Sequence, residues 1–166
     1  NKFANSGIVV EINIDKDIPK YDQFGPLKGL EYQKNLERLA FTAGGRTQTA
    51  PAQRLVDFVD GKLSSNLNET SYQPGLNSAP MHSLLPKLIG SRLRKGFEAF
   101  GRKMHGYYTN EANMVGVESR TSSPVNIPRK ENLEHPEIKG LFPCGEGGGY
   151  AGGIVSAAMD GERCAE

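Results

Sequence analysis

Residues 140–166, GLFPCGEGGGYAGGIVSAAMDGERCAE, constrain the fold of this chain more than any other stretch. Six glycines fall in the nine residues 145–153, between a short apolar run and a helix-like run of small residues. The order predicted is strand, glycine loop, helix. Such a loop offers bare backbone N–H groups and the positive end of a helix to an anion or an electron-rich ring. Gly147, Gly149 and Gly152 satisfy the GxGxxG spacing of dinucleotide sites, which require that strand–loop–helix context. Only 14 residues follow Gly152, too few to finish a helix and reach a second strand. The acidic residue expected about 20 positions later, for the ribose hydroxyls, has no place to be. A self-contained dinucleotide fold is not expected of these residues.

Three readings of the loop stay open. Glycines allow tight turns and close packing whatever the function. A phosphate loop of another type is possible in principle, but no Lys-Ser or Lys-Thr follows the glycines to make a P-loop. In the third, the helix N-terminus faces a flavin with Glu146 beside it. A carboxylate repels phosphate but accepts hydrogen bonds from polyol hydroxyls, so Glu146 favours ribityl over pyrophosphate.

The bulk composition narrows the classes further. Twenty Lys and Arg against 19 Asp and Glu leave a formal charge of +1, which makes no electrostatic case for nucleic acid or an acidic membrane. The basic stretch over residues 87–103 contains Glu98 and reads as a solvated helix face. Cys144 and Cys164 form no CxxC, and His82, His105 and His135 have no ligand-like spacing. No metal site and no disulfide framework is expected, and the chain reads as reduced and cytoplasmic. With no second thiol near it in sequence, Cys144 is expected to be a small core residue. The sequon Asn68-Glu69-Thr70 is a chance-level match. No run approaches the roughly 18 apolar residues of a membrane span, and the N-terminus has no signal-peptide layout. The chain opens on Asn1 without Met, which suggests processing or excision from something longer.

Along the chain, the β-branched run 7–14 predicts a strand, and 15–26 a loop. Residues 27–43, with Leu30, Leu36, Leu39 and Ala40, predict an amphipathic helix ending at Gly44-Gly45. Residues 50–61 suit either a helix or a strand, and an extended segment with a turn at Asp60-Gly61 is the preferred expectation. Residues 62–80 should be irregular. A helix is expected over 83–104, with Leu84, Leu88, Leu93, Phe97, Phe100 and Met104 as its buried stripe. His105, Tyr107 and Tyr108 follow it, as pocket lining or as a helix-end His with its neighbours. Short strands are expected over 114–121, 125–128 and 141–144, and a closing helix over 154–165.

Several segments together resemble a known family. They are GLFPCGEGGGYAGGI (140–154) with SAAMDG (156–161), NSGIVV (5–10), APAQR (50–54) with Asp57-Phe58, SYQPG (71–75), and GVESRTSSP (116–124). In this order they resemble a bacterial family of largely uncharacterised FAD-dependent oxidoreductases, sometimes labelled NAD-utilizing dehydrogenases, across most of the chain. The resemblance implies a discontinuous FAD-binding fold. Its amino-terminal dinucleotide segment, absent from these residues, would be the intramolecular partner. The fold class is then α+β, with an inserted, substrate-side domain over 1–112. A strand–loop–helix return segment of the FAD domain follows over 113–166.

By the resemblance, Gly145 and Glu146 should meet the ribityl and pyrophosphate side of FAD. Gly152, Gly153 and Ile154 should present helix N–H groups to the flavin's pyrimidine edge, where a positive helix end suits the charge of the reduced ring. NAD(P) is a possible electron partner and the substrate an unidentified small molecule. The chain alone should bind FAD weakly or not at all. Arg120 could clamp a substrate carboxylate and Glu118 act as acid or base, or residues 118–124 could be a plain polar linker. The competing class is a non-catalytic binding or interaction module whose glycine tail is structural.

Overall fold

A computed structural model describes residues 2–166. Among them the fold is α+β, with six α-helices, a 3-10 run and a three-stranded mixed sheet. Two compact units are distinguished. One comprises residues up to Asn13 with 35–117, the other 14–34 with 118–166. Helix α1 is Ile14–Asp17, the 3-10 run Pro19–Leu27, and α2 Lys28–Ala43, the last as its periodicity predicts.

In the first unit, β1 (Ala50–Arg54) is the central strand. It runs parallel to β2 (Leu76–Ser78), with Ala52 opposite Ser78. It runs antiparallel to β3 (Asn113–Val115), with Ala52 opposite Val115. The expected strand over 7–14 does not form: residues 7–13 have no regular secondary structure and Ile14 opens α1. Both sides of β1 are already paired, and the Glu11 carbonyl accepts from Arg92 Nη1 (2.6 Å) rather than from a ladder. Ile8 packs at the core's edge instead.

The extended segment expected through residue 60 is half right. The strand ends at Arg54, and α3 (Leu55–Asp60) follows at once. Leu55 and Phe58 are both buried, and their three-residue spacing faces one side of a helix turn but opposite sides of a strand. Gly61, left-handed at φ 71°, closes α3 with its N–H on the Asp57 and Phe58 carbonyls.

The single helix expected over 83–104 is two, α4 (Met81–Leu84) and α5 (Lys87–Lys103). Pro86 causes the break. A residue before proline is pushed out of the helical region, and Leu85 sits at φ −69°, ψ 144°. Ile89, Leu93, Phe97 and Phe100 of α5 face the core, whereas Met104 is half exposed and leaves the expected stripe. The core consists of Leu55, Phe58, Ala79, Met81, Leu85 and Phe97. The Phe58 and Phe97 rings meet edge-to-face at 6.0 Å. Such a pair adds about 0.5–1.5 kcal/mol to the about 1.5–3 kcal/mol gained by burying each ring. Tyr107 stands edge-on to Phe100 at 5.5 Å, so it belongs to the core's rim.

One buried polar residue ties this unit together. Gln53, fully buried, donates from Nε2 to the Lys62 carbonyl (2.5 Å) and to His82 Nδ1 (2.8 Å). Its Oε1 accepts the His82 backbone N–H (3.1 Å). The carbonyl contact orients the amide, so His82 Nδ1 must be the acceptor and the ring neutral. Desolvation, and secondly the charge of Arg94, hold its pKa below 6.5, in agreement with that tautomer.

Candidate functional site

The second unit carries the glycine loop. Helix α6 (Ile154–Ala165) forms as predicted, but the strand expected before the loop does not. The groups that a ladder would use around residues 141–145 have other partners. Leu141 N–H bonds the Ile138 carbonyl, and the Leu141 carbonyl accepts from His135 N–H. Pro143 has no N–H, and its carbonyl takes Arg129 Nη1 (2.9 Å). Gly145 N–H goes to Asp160 Oδ2 (2.9 Å). The expected strands over 114–121 and 125–128 reduce likewise to β3 alone. Val125 N–H bonds Ser123 Oγ, and Ile127 N–H bonds the Gly148 carbonyl (3.1 Å).

What holds the loop is an ion pair that sequence reasoning did not single out. Arg129 reaches Asp160 through two parallel bonds of 2.9 and 2.8 Å. Both side chains are nearly buried, at 10% and 12% exposure. The guanidinium lies 3.6 Å from the centre of the Tyr150 ring, whose hydroxyl donates to the Ile127 carbonyl (2.7 Å). Asp160 therefore receives three bonds, and its pKa is lowered from 3.8 to about 2, first by Arg129 and then by Gly145 N–H. Arg129 and Asp160 lie 31 residues apart in sequence, with no motif joining them. Only their i-independent meeting in space marks them.

The glycines of the loop divide into two kinds. Gly149 is left-handed at φ 83°, and a Cβ there would lie 2.7 Å from the Val125 carbonyl oxygen and 2.9 Å from Asn126 Nδ2. A Cβ on Gly148 would crowd the Cys144 backbone at 3.1–3.2 Å. Gly147 differs: a Cβ there would meet nothing within 4 Å.

The predicted site residues are placed as follows. Gly145 and Glu146 open the loop, and the Glu146 carbonyl accepts Gly149 N–H (3.0 Å). Gly152 lies beside the Thr121 carbonyl, with its Cβ position 3.8 Å away. Ser123 Oγ lies 3.5 Å from the Gly147 carbonyl, so residues 121–127 flank the loop. Gly153 caps α6, its N–H bonded to Ser156 Oγ (3.1 Å). The first helical bond runs from Ala157 N–H to the Gly153 carbonyl, which leaves the N–H groups of Ile154 and Val155 without a carbonyl of their own helix. The side chains of Ile154 and Val155 are 93% and 71% exposed. Glu118 Oε1 accepts Arg120 N–H (3.1 Å), a local turn that holds both exposed residues at one end of the segment. His135 Nδ1 accepts the N–H groups of Glu137 and Ile138 (3.1 Å each) and serves a turn. Among the described residues no cluster of His, Cys, Asp and Glu could hold a metal ion, and no helix is long and apolar enough to cross a membrane.

Glycine loops that lead into a helix start occur at anion and nucleotide sites and as plain tight turns alike. Residues 1–121 match the family described as FAD-dependent protein, C-terminal domain-like, and the chain belongs to that family. An uncharacterized protein of Clostridium beijerinckii is 39% identical over 165 residues, 98% of this chain. The chain spans 30% of that relative's length. The family match ends before the glycine loop, whereas the similarity to the relative extends over it.

Proposed function

We propose that this chain is part of an FAD-dependent oxidoreductase of dehydrogenase type. Residues 1–112 would form its substrate-side domain and 113–166 its flavin-facing return segment. The observation that carries the reading is the open space at Gly147, in the loop that leads in sequence to the exposed first turn of α6. A glycine whose Cβ would touch nothing in its own chain serves no packing there, while a polyol or ring laid over the loop would fill that space.

FAD, when bound, supplies the hydride chemistry. The chain's own part is to bind and orient. Ile154 and Val155 would donate backbone N–H groups to the ring's electron-rich edge, and the helix dipole favours negative charge there. Gly152 and Gly153 contribute shape, since Gly153 N–H is already committed to Ser156. Glu146 would accept from ribityl hydroxyls, and Gly145 fixes the loop's entry through Asp160. Arg120 would hold a substrate carboxylate, with Glu118 as proton carrier beside it. A nicotinamide nucleotide is the electron partner to test first, on the strength of the sequence resemblance.

The deciding experiment is flavin content in a protein of the relative's length. Gly147→Val should release FAD while leaving thermal unfolding unchanged. Stoichiometric FAD retained by that variant sinks the proposal. The 166-residue chain by itself should titrate with FAD weakly or not at all. A second reading, a structural tail on a binding module, draws on Gly148 and Gly149, whose contacts are all internal. It predicts that Gly147→Val changes neither property.

A further inference from the structure

The strongest unassigned chemistry lies in the two cysteines, which the sequence keeps apart by the whole glycine loop and most of α6. The fold brings them together. The residues on either side of Cys144 are both anchored to the ion pair: Pro143 through its carbonyl to Arg129 Nη1 (2.9 Å), Gly145 through its N–H to Asp160 Oδ2 (2.9 Å). Cys164 stands one helical turn beyond Asp160 on the same face of α6, and its Sγ lies 3.4 Å from the same Arg129 Nη1. One guanidinium nitrogen therefore meets both the backbone just before Cys144 and the Cys164 sulfur, and the Cys144 thiol is near enough to help raise the Cys164 pKa. Cys144 is exposed, contrary to its expected place in a core, and Cys164 is half-buried.

We infer that Cys144 and Cys164 form an oxidation site that a hydroperoxide converts to an intramolecular disulfide. Cys144 is the accessible nucleophile. Its sulfur, as thiolate, attacks the outer peroxide oxygen; the O–O bond breaks, Cys144 becomes a sulfenic acid, and the thiol's proton leaves with the departing alcohol. Cys164 Sγ then attacks the Cys144 sulfur. The S–S bond forms, the S–O bond breaks, and the oxygen departs as water with the Cys164 proton. Two thiols and one hydroperoxide give one disulfide, one alcohol and one water, a two-electron oxidation.

Burial, and secondly the Asp160 charge, push the Cys164 thiol above its usual range, which keeps it protonated until its neighbour is activated. The bond would add a covalent tie where the Gly145–Asp160 contact already joins the loop to α6. Both cysteines lie in the second unit, and their oxidation is independent of flavin binding.

The test is hydrogen peroxide titration of the purified protein, followed by thiol alkylation, intact mass under non-reducing conditions and peptide mapping. Both thiols should vanish together, the mass should fall by two hydrogens, and one cross-linked peptide should join Cys144 to Cys164. The same oxidation in denaturant should slow several-fold, because the fold supplies the proximity. Cys164→Ser should leave a sulfenic acid on Cys144 that dimedone traps, whereas the wild type should not accumulate it. Three outcomes overturn the inference: Cys144 over-oxidised while Cys164 remains alkylatable, disulfides only between molecules, or no oxidation at peroxide levels that oxidise glutathione.

Discussion

Replacing Gly149 with Ala tests the loop most sharply, because its neighbour Gly147 is the built-in control. Two costs add at Gly149. Its φ of 83° places any L-residue in the left-handed region, at about 1–2 kcal/mol. The new Cβ would also press on the Val125 carbonyl at 2.7 Å and Asn126 Nδ2 at 2.9 Å. The carbonyl cannot step aside easily, since it accepts Ser123 Oγ at 2.7 Å and its segment is tied to the loop through Ile127 and Gly148. Overpacking of this kind costs about 1–3 kcal/mol. The sum, about 2–5 kcal/mol, is a large share of an ordinary domain stability of about 5–15 kcal/mol. Gly147→Ala meets nothing within 4 Å and lies outside the left-handed region, so its change should stay within about 0.5 kcal/mol. Urea unfolding followed by tyrosine fluorescence and circular dichroism measures both. Equal midpoints for the two variants would show that the loop is not held as described, and the division of its glycines into two kinds would collapse.

Other expectations follow from the same contacts. Asp160, whose folded pKa is depressed, stabilises its unit fully above 3.8, and that contribution is lost as pH falls through about 2. Asp160→Asn should therefore lower the urea midpoint at neutral pH and flatten its decline over that acid window; an unchanged profile would refute the role of the pair. His82 is held neutral, so the first unit should lose stability as pH drops below 6.5, where the unfolded chain takes the proton and the folded ring resists it. His82→Asn keeps an acceptor for Gln53 but should remove that slope, as hydrogen exchange of α3 against pH would reveal. Phe97→Ala deletes one ring of the buried edge-to-face pair and should cost about 3–5 kcal/mol in chemical denaturation. A loss under 1 kcal/mol would mean that the core is not packed around α5.

The sequence by itself determined the elements whose signal is local. Helix α2 follows from its apolar periodicity and the Gly44-Gly45 stop, and α6 from small residues after the glycines. Pro86 was also a local signal, and its steric effect on Leu85 divides what periodicity alone would join. The strands were less legible, because a β-run becomes a strand only when partner groups remain available. Residues 7–14 and 141–144 have the right composition, yet the Glu11 carbonyl goes to Arg92 and the Leu141 and Pro143 carbonyls to His135 and Arg129. At the candidate site, sequence marked the glycines but could not sort them; the distances to Val125, Asn126 and Cys144 do that. The pairing of Arg129 with Asp160 and the approach of both cysteine segments to Arg129 belong to the tertiary structure alone. Contacts between residues distant in sequence leave no period or motif to read, and it is those contacts that set the charge, access and rigidity of the glycine loop.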